Sequence, residues 1–156
     1  MKSKIYQTLE DARYSLLKKL ISLKTSAKSY CSEDSQIIRL EVQIEKAKPL
    51  EWLTLQDCSR KVFWENRSQK EQFAGIGTAL ELIDGEEGLE NILLSIGSYL
   101  NKSPGTIRFF GGMRFDSKSS KSSEWMDWGT AHFTLPMLEL SIIDKKATLA
   151  CNIHFG

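Results

Sequence analysis

Apolar and polar residues alternate through Ile38, Leu40, Val42 and Ile44, and again near the far end of the chain through Leu149, Cys151, Ile153 and Phe155. A period of two places each set on one face of a β-strand. Two other stretches keep a helical period. Ile5, Leu9, Ala12, Leu16, Leu20 and Leu23 recur at three- and four-residue steps, with Lys18, Lys19, Lys24 and Lys28 largely off their stripe. Leu89, Ile92, Leu93, Ile96, Tyr99 and Leu100 do the same. The mixture predicts an α+β fold, mostly antiparallel sheet flanked by helices. Residues 1–30 read as an amphipathic N-terminal helix docked on the domain or on a partner, and 31–156 as a single domain. No repeat or shift of composition marks a linker between domains.

The intervening chain fills in this outline. Pro49 ends the first strand, and residues 50–55 suit one helical turn. VFWENR (62–67) and FAGIGTALELI (73–83) predict a hairpin whose second strand breaks at Asp84-Gly85. Glu86 and Glu87 suit the positive end of a helix dipole, and Pro104-Gly105 stops that helix. GTIRFFGGMRF (105–115) reads as a strand in which Ile107, Phe109, Met113 and Phe115 share a face. Its glycine pair fits a ligand cradle, a bulge, or a place where another layer presses on the backbone. DSKSSKSSEWMDWG reads as a mobile loop anchored at its far end by Trp125 and Trp128. Residues 132–155 predict a hairpin turning at Asp144-Lys145-Lys146. Its apolar phase slips at Pro136-Met137, which predicts a bulge there.

Composition excludes several classes. A length of 156 residues suits one domain, and 41% hydrophobic with 26% charged residues suits a globular one. A net charge of +1 argues against a general nucleic-acid binder. No apolar run approaches the ~20 residues that span a bilayer. Cys31, Cys58 and Cys151 form no CxxC, and their odd number favours free thiols in a reducing compartment, the cytoplasm. The basic, Ser-rich N-terminus leaves a plastid or another organelle open.

The candidate chemical groups are few. Gly75 and Gly77 begin a GxGxxG pattern, but Leu80 holds the third glycine's place and the stretch reads as strand. His132 reads as a strand-edge residue without a triad partner. His154 shares a polar strand face with Asn152 and Thr148, which suits a surface or interface role. Cys151 reads as a small core residue. Glu86, Glu87 and Glu90 read as dipole partners before metal ligands. Trp52, Trp64, Trp125 and Trp128 read as core anchors, because no basic patch interleaves with them. No residue is assigned a catalytic, cofactor-binding or metal-binding role.

A series of motifs, in order, carries a resemblance. Leu50-x-Trp52-Leu53, Phe63-Trp64-x-x-Arg67 and Gly75-x-Gly77 are followed by Arg108-Phe109-Phe110-Gly111-Gly112 with Phe115-Asp116. Trp125, Phe133, Leu135-Pro136, Leu138-Glu139 and Lys146-Ala147-Thr148-Leu149 complete it. The series resembles the N-terminal region of isochorismate synthases, members of the chorismate-utilising enzymes, over roughly residues 49–155. The resemblance implies a partial version of that layered fold, with two β-sheets and flanking helices. Gly111 and Gly112 then read as close-approach or bulge positions, and Gly111 is the gap in the apolar row.

In that family a lysine base, a glutamate acid and the Mg²⁺-holding glutamates lie in the C-terminal portion, and no residue here matches them. The resemblance therefore implies an N-terminal structural portion of an isochorismate synthase, inactive by itself, with Mg²⁺ expected for a full-length member. The reaction is chorismate to isochorismate, towards menaquinone or phylloquinone. A stand-alone non-catalytic subunit pairing with a separate catalytic half is an alternative, as is the N-terminus of a sibling such as anthranilate synthase. Expected partners are a C-terminal catalytic half, or a second copy through the hairpin 132–155. The row Leu149, Cys151, Ile153 and Phe155 on an open terminal strand would drive that association, unless the N-terminal helix folds over it.

Overall fold

The computed structural model describes residues 4–26, 35–84, 88–103, 106–115 and 129–155. In chain order these form β1 (Ile5–Tyr6), α1 (Leu9–Ser26), β2 (Gln36–Ile44), α2 (Pro49–Thr54), β3 (Lys61–Glu65) and β4 (Glu71–Ile76). Then follow β5 (Leu80–Ile83), α3 (Gly88–Lys102), β6 (Phe110–Met113), β7 (Ala131–Leu135), β8 (Leu138–Ile143) and β9 (Lys146–Phe155). One sheet has the order β1-β2-β9-β8-β4-β3 and the other β5-β7-β6. Apart from β1 and β2, neighbouring strands are antiparallel. The α+β class follows from the two periodicities in the sequence.

The two alternating rows at opposite ends of the chain become neighbours. β2 pairs with β9 from Gln36–Phe155 to Ile44–Ala147, which sets Val42 beside Leu149 and Leu40 beside Cys151. Over this face lies α1. Ala12 and Leu16 are buried against Val42, Ile44, Leu140, Ala147, Leu149 and Cys151, with Leu9 and Leu20 packed around them. The helix is started by a cap: Thr8 Oγ1 accepts from the Asp11 amide at 3.1 Å and donates to Asp11 Oδ2 at 2.7 Å.

This arrangement corrects the expectation of an open terminal edge. β9 lies inside the sheet, between β2 and β8, so its backbone groups are paired on both sides. Leu149 and Cys151 are buried beneath α1, and Ile153 packs against the same cluster.

The bulge expected at Pro136-Met137 is instead a crossing between sheets. β4 pairs with β8 in the six-stranded sheet, and β5 pairs with β7 in the three-stranded one. The segments 71–83 and 131–143 thus run side by side and leave the first sheet together. Gly77 takes φ +64, which suits glycine, and Pro136 has no amide to donate to a ladder. The Ala79 amide donates to the Leu135 carbonyl at 2.9 Å, which keeps the two segments paired beyond the bend. The segment 73–83, expected to run unbroken to Asp84, is therefore two strands. Only β8 and β9 form the C-terminal hairpin, through a two-residue turn with Asp144 at φ 46 and Lys145 at φ 69.

The second sheet and α3 cover the opposite face. Ile37, Ile107 and Leu135 form a smaller buried cluster, joined by Leu80, Tyr99 and Phe109. Of the helical row in α3, Ile92 is buried while Leu93 and Leu100 stay exposed. The glycine pair of β6 divides in function. A Cβ on Gly111 would collide with the His132 carbonyl oxygen and stand 2.7 Å from Phe133 Cα. One on Gly112 would meet nothing within 4 Å, so the close approach expected at both positions holds only at Gly111. Met113 and Phe115 are exposed and do not continue the buried row of Ile107 and Phe109. The loop expected around Trp125 and Trp128, the acids Glu86 and Glu87, the Pro104-Gly105 stop and Cys31 lie outside the described residues.

Candidate functional site

Alternation along β8 sends Leu138, Leu140 and Ile142 towards α1, and Glu139 and Ser141 to the other face. There Glu139 is fully buried. Its Oε1 accepts from Arg39 Nη2 and Arg108 Nη1, both at 2.9 Å. Arg39, on β2, also donates from Nη1 to Asn152 Oδ1 at 3.1 Å and from Nε to Glu41 at 3.2 Å. Asn152 in turn donates to the Pro136 carbonyl at 2.8 Å, at the crossing between sheets. Arg108 lies 4.2 Å above the Phe73 ring. The clasp thus joins β2, β8, β9 and the segment leading into β6.

Burial pulls the pKa of Arg108 down, while the charge on Glu139 opposes the shift. Glu139 Oε2 is buried without a hydrogen-bond partner among the described residues. Held between two guanidiniums, Glu139 completes a structural lock.

A second polar group lies beside a cleft of about 340 Å³ between the β3–β4 edge and β6–β7. Arg60, Lys61, Val62, Phe110, His132 and Thr134 are among its lining residues. Glu81 Oε1 accepts from Arg60 Nη1 and lies 2.8 Å from His132 Nε2. The Arg60 hydrogen bond holds the Glu81 carboxyl below its ordinary value; burial opposes this and His132 adds to it. Glu81 answers one cation of the cleft, Arg60, and Lys61 adds a second positive charge to its lining.

The remaining sequence candidates find structural places. His132 is on the central strand of its sheet, not at the edge expected for it. His154 links β9 to its surroundings: Nε2 is 2.6 Å from Ser35 Oγ and 3.3 Å from Tyr99 OH. Its ring meets Tyr99 edge-on at 5.7 Å. Asn152, expected on a polar outer face, is buried in the clasp. Cys151 is a core residue, and burial pushes its thiol pKa up. Gly75 is pinned by packing, since a Cβ there would stand 2.6 Å from Pro136 Cβ and 2.8 Å from Val62 Cγ1. Trp52 packs against the α1 cluster, whereas Trp64 is partly exposed and stacks on Phe73. Glu90 is exposed in the first turn of α3.

The carboxylates of these two groups do not fit a bound Mg²⁺. Glu139 and Glu81 are each held by arginine, and among the described residues no three His, Cys, Asp or Glu side chains gather.

The family described as "Chorismate binding enzyme" matches residues 22–156. The chain belongs to the chorismate-binding enzyme family. Isochorismate synthase 2, chloroplastic, from Arabidopsis thaliana is 28% identical over 141 residues, covering 76% of this chain and 25% of that protein. Isochorismate synthase, chloroplastic, from Catharanthus roseus is 25% identical over 160 residues, covering 78% of this chain and 28% of that protein. Among solved structures, MenF, the menaquinone-specific isochorismate synthase from Escherichia coli, superposes with a TM-score of 0.53 at 18% identity. That match covers 85% of this chain and 28% of MenF, and it shows a shared fold. The chain spans about a quarter of the length of these chorismate-binding relatives. Several of the motif residues that resemble the family have structural tasks: Arg108 and Glu139 form the clasp, Gly111 admits β7, and Pro136 turns the chain between sheets.

Sequence reasoning missed the clasp because Arg39, Glu41 and Glu139 occupy the polar phase of alternating strands, which reads as a solvated face. The available signal was charge: one arginine on each of two predicted strands and a glutamate on a third, all in the phase opposite the apolar row.

Proposed function

We propose that this chain is the N-terminal structural portion of an isochorismate synthase, and that conversion of chorismate to isochorismate requires a catalytic portion beyond it. The observation that carries the reading is the family match over residues 22–156, with relatives named isochorismate synthases of which this chain covers only 25% and 28%. The clasp and the crossing strands suit a scaffold, because Arg39, Arg108, Glu139 and Asn152 tie β2, β8, β9 and the crossing at Pro136 together. Mg²⁺, where the whole enzyme uses it, is held by that further portion. The chloroplastic relatives support a plastid over the cytoplasm as the location, and a quinone pathway is the proposed destination of the product.

The test is direct. The purified chain is incubated with chorismate and Mg²⁺, and the products are separated by chromatography. No isochorismate is expected above background. Replacing the corresponding segment of the Arabidopsis relative with this chain should give a hybrid that turns over. Turnover by the chain alone would overturn the structural assignment, and an inert but folded hybrid would overturn the isochorismate synthase assignment.

A further inference from the structure

α1 buries one face and shows another. Tyr14, Leu17 and Ile21 are 58%, 51% and 59% exposed, and their spacing aligns them in one stripe opposite Ala12 and Leu16. Glu10 lies in the first turn and Lys24 in the last. At 3.6 residues per turn both fall within about 60° of the centre of the stripe. The stripe is therefore acidic at its start and basic at its end, and in its middle Lys18 Nζ lies 4.4 Å over the Tyr14 ring, beside Leu17 and Ile21.

Such a surface complements itself when turned end for end. With a twofold axis near Leu17, Tyr14 faces Ile21 of the second copy, Leu17 meets its counterpart, and Glu10 faces Lys24 of the second copy. An anionic lipid surface would suit a uniformly basic face better than one that begins with an acid. The family match starts at residue 22, so Glu10, Tyr14, Leu17 and Ile21 precede the matched region and Lys24 lies within it.

We propose that a second copy of this chain docks on the stripe, α1 against α1 and antiparallel, as an isologous dimer. The proposal does not depend on the isochorismate synthase reading. Analytical ultracentrifugation over a dilution series should show a monomer–dimer equilibrium. Leu17→Lys should weaken association at least tenfold, while circular dichroism shows an unchanged helix signal. Glu10→Lys and Lys24→Glu should each weaken self-association. Mixed together, these two variants should form a heterodimer, because each then supplies the charge the other lacks. A wild-type chain that stays monomeric at several hundred micromolar would overturn the proposal. So would a dimer indifferent to Leu17→Lys, or a charge-variant pair that fails to associate. Binding of α1 to vesicles containing anionic lipid, without a dimer, would assign the stripe to the other class of partner and equally overturn it.

Discussion

Two adjacent glycines in β6 have opposite tolerances. Gly111 faces the β7 backbone so closely that a methyl group would overlap the His132 carbonyl oxygen, while Gly112 faces open space. Gly111→Ala should therefore destabilise by well over ~1 kcal/mol, and Gly112→Ala by no more than ~0.5 kcal/mol. Thermal melts of the pair check this; equal losses would contradict the packing account. Glu139 sets the other residue-scale test. Removing one member of a buried ion pair strands the charges that remain, at a cost of about 3–5 kcal/mol. Glu139→Ala leaves Arg39 and Arg108 without their shared carboxylate and should cost an amount in that range by urea denaturation. Replacing Arg39, Arg108 and Glu139 together with apolar residues of similar volume should cost less than the single change, because no stranded charge remains.

At the scale of elements, what the sequence reveals depends on whether a signal is local. From Leu9 to Leu20 the face of α1 that packs is the one its three- and four-residue spacing predicts, whereas Ile5, read as the start of that row, lies in β1 and is exposed; the β2 and β9 rows lie where alternation places them. The crossing at Gly77 and Pro136 was visible only as a phase slip. A phase slip fits a bulge within one sheet as well as a move between two, and tertiary pairing decides which. Glu139 could not be recognised as buried from β8 alone, because its cover comes from residues distant in sequence. Gly111 and Gly112 differ only in which of them faces β7. The family itself was legible from the ordered motifs, while the positions of their side chains were not. The start of α1 offers a test where the local signal is complete. Thr8 Oγ1 caps the Asp11 amide, so Thr8→Ala should lower stability by about 1 kcal/mol. It should also speed amide exchange in the first turn of α1 more than in β9. Unchanged exchange there would mean that the cap contributes nothing.

At the scale of the whole molecule, the two sheets are not separable units. The segments 71–83 and 131–143 pass through both, paired with each other on either side of the bend. Opening the β5-β7-β6 sheet withdraws Leu135 and its packing partners from Ile37 on β2, and frees the Pro136 carbonyl that accepts from Asn152. Opening the six-stranded sheet removes the partner strands on which β5 and β7 are aligned. One unfolding transition is therefore expected, with near- and far-ultraviolet circular dichroism superimposing through the melt. Acid should shift that transition without splitting it. Glu81, on β5, is tied to Arg60 just before β3, so their contact spans the two sheets. Its folded pKa lies below the ordinary carboxylate value of 4.5, so its contribution is present above that value and is lost as the pH falls through the lower, folded one. Melting temperature should drop on going below pH 4.5, and Glu81→Gln should flatten part of that drop. Two resolved transitions at neutral pH, or one sheet surviving the other in acid, would show that the crossing strands do not couple the halves.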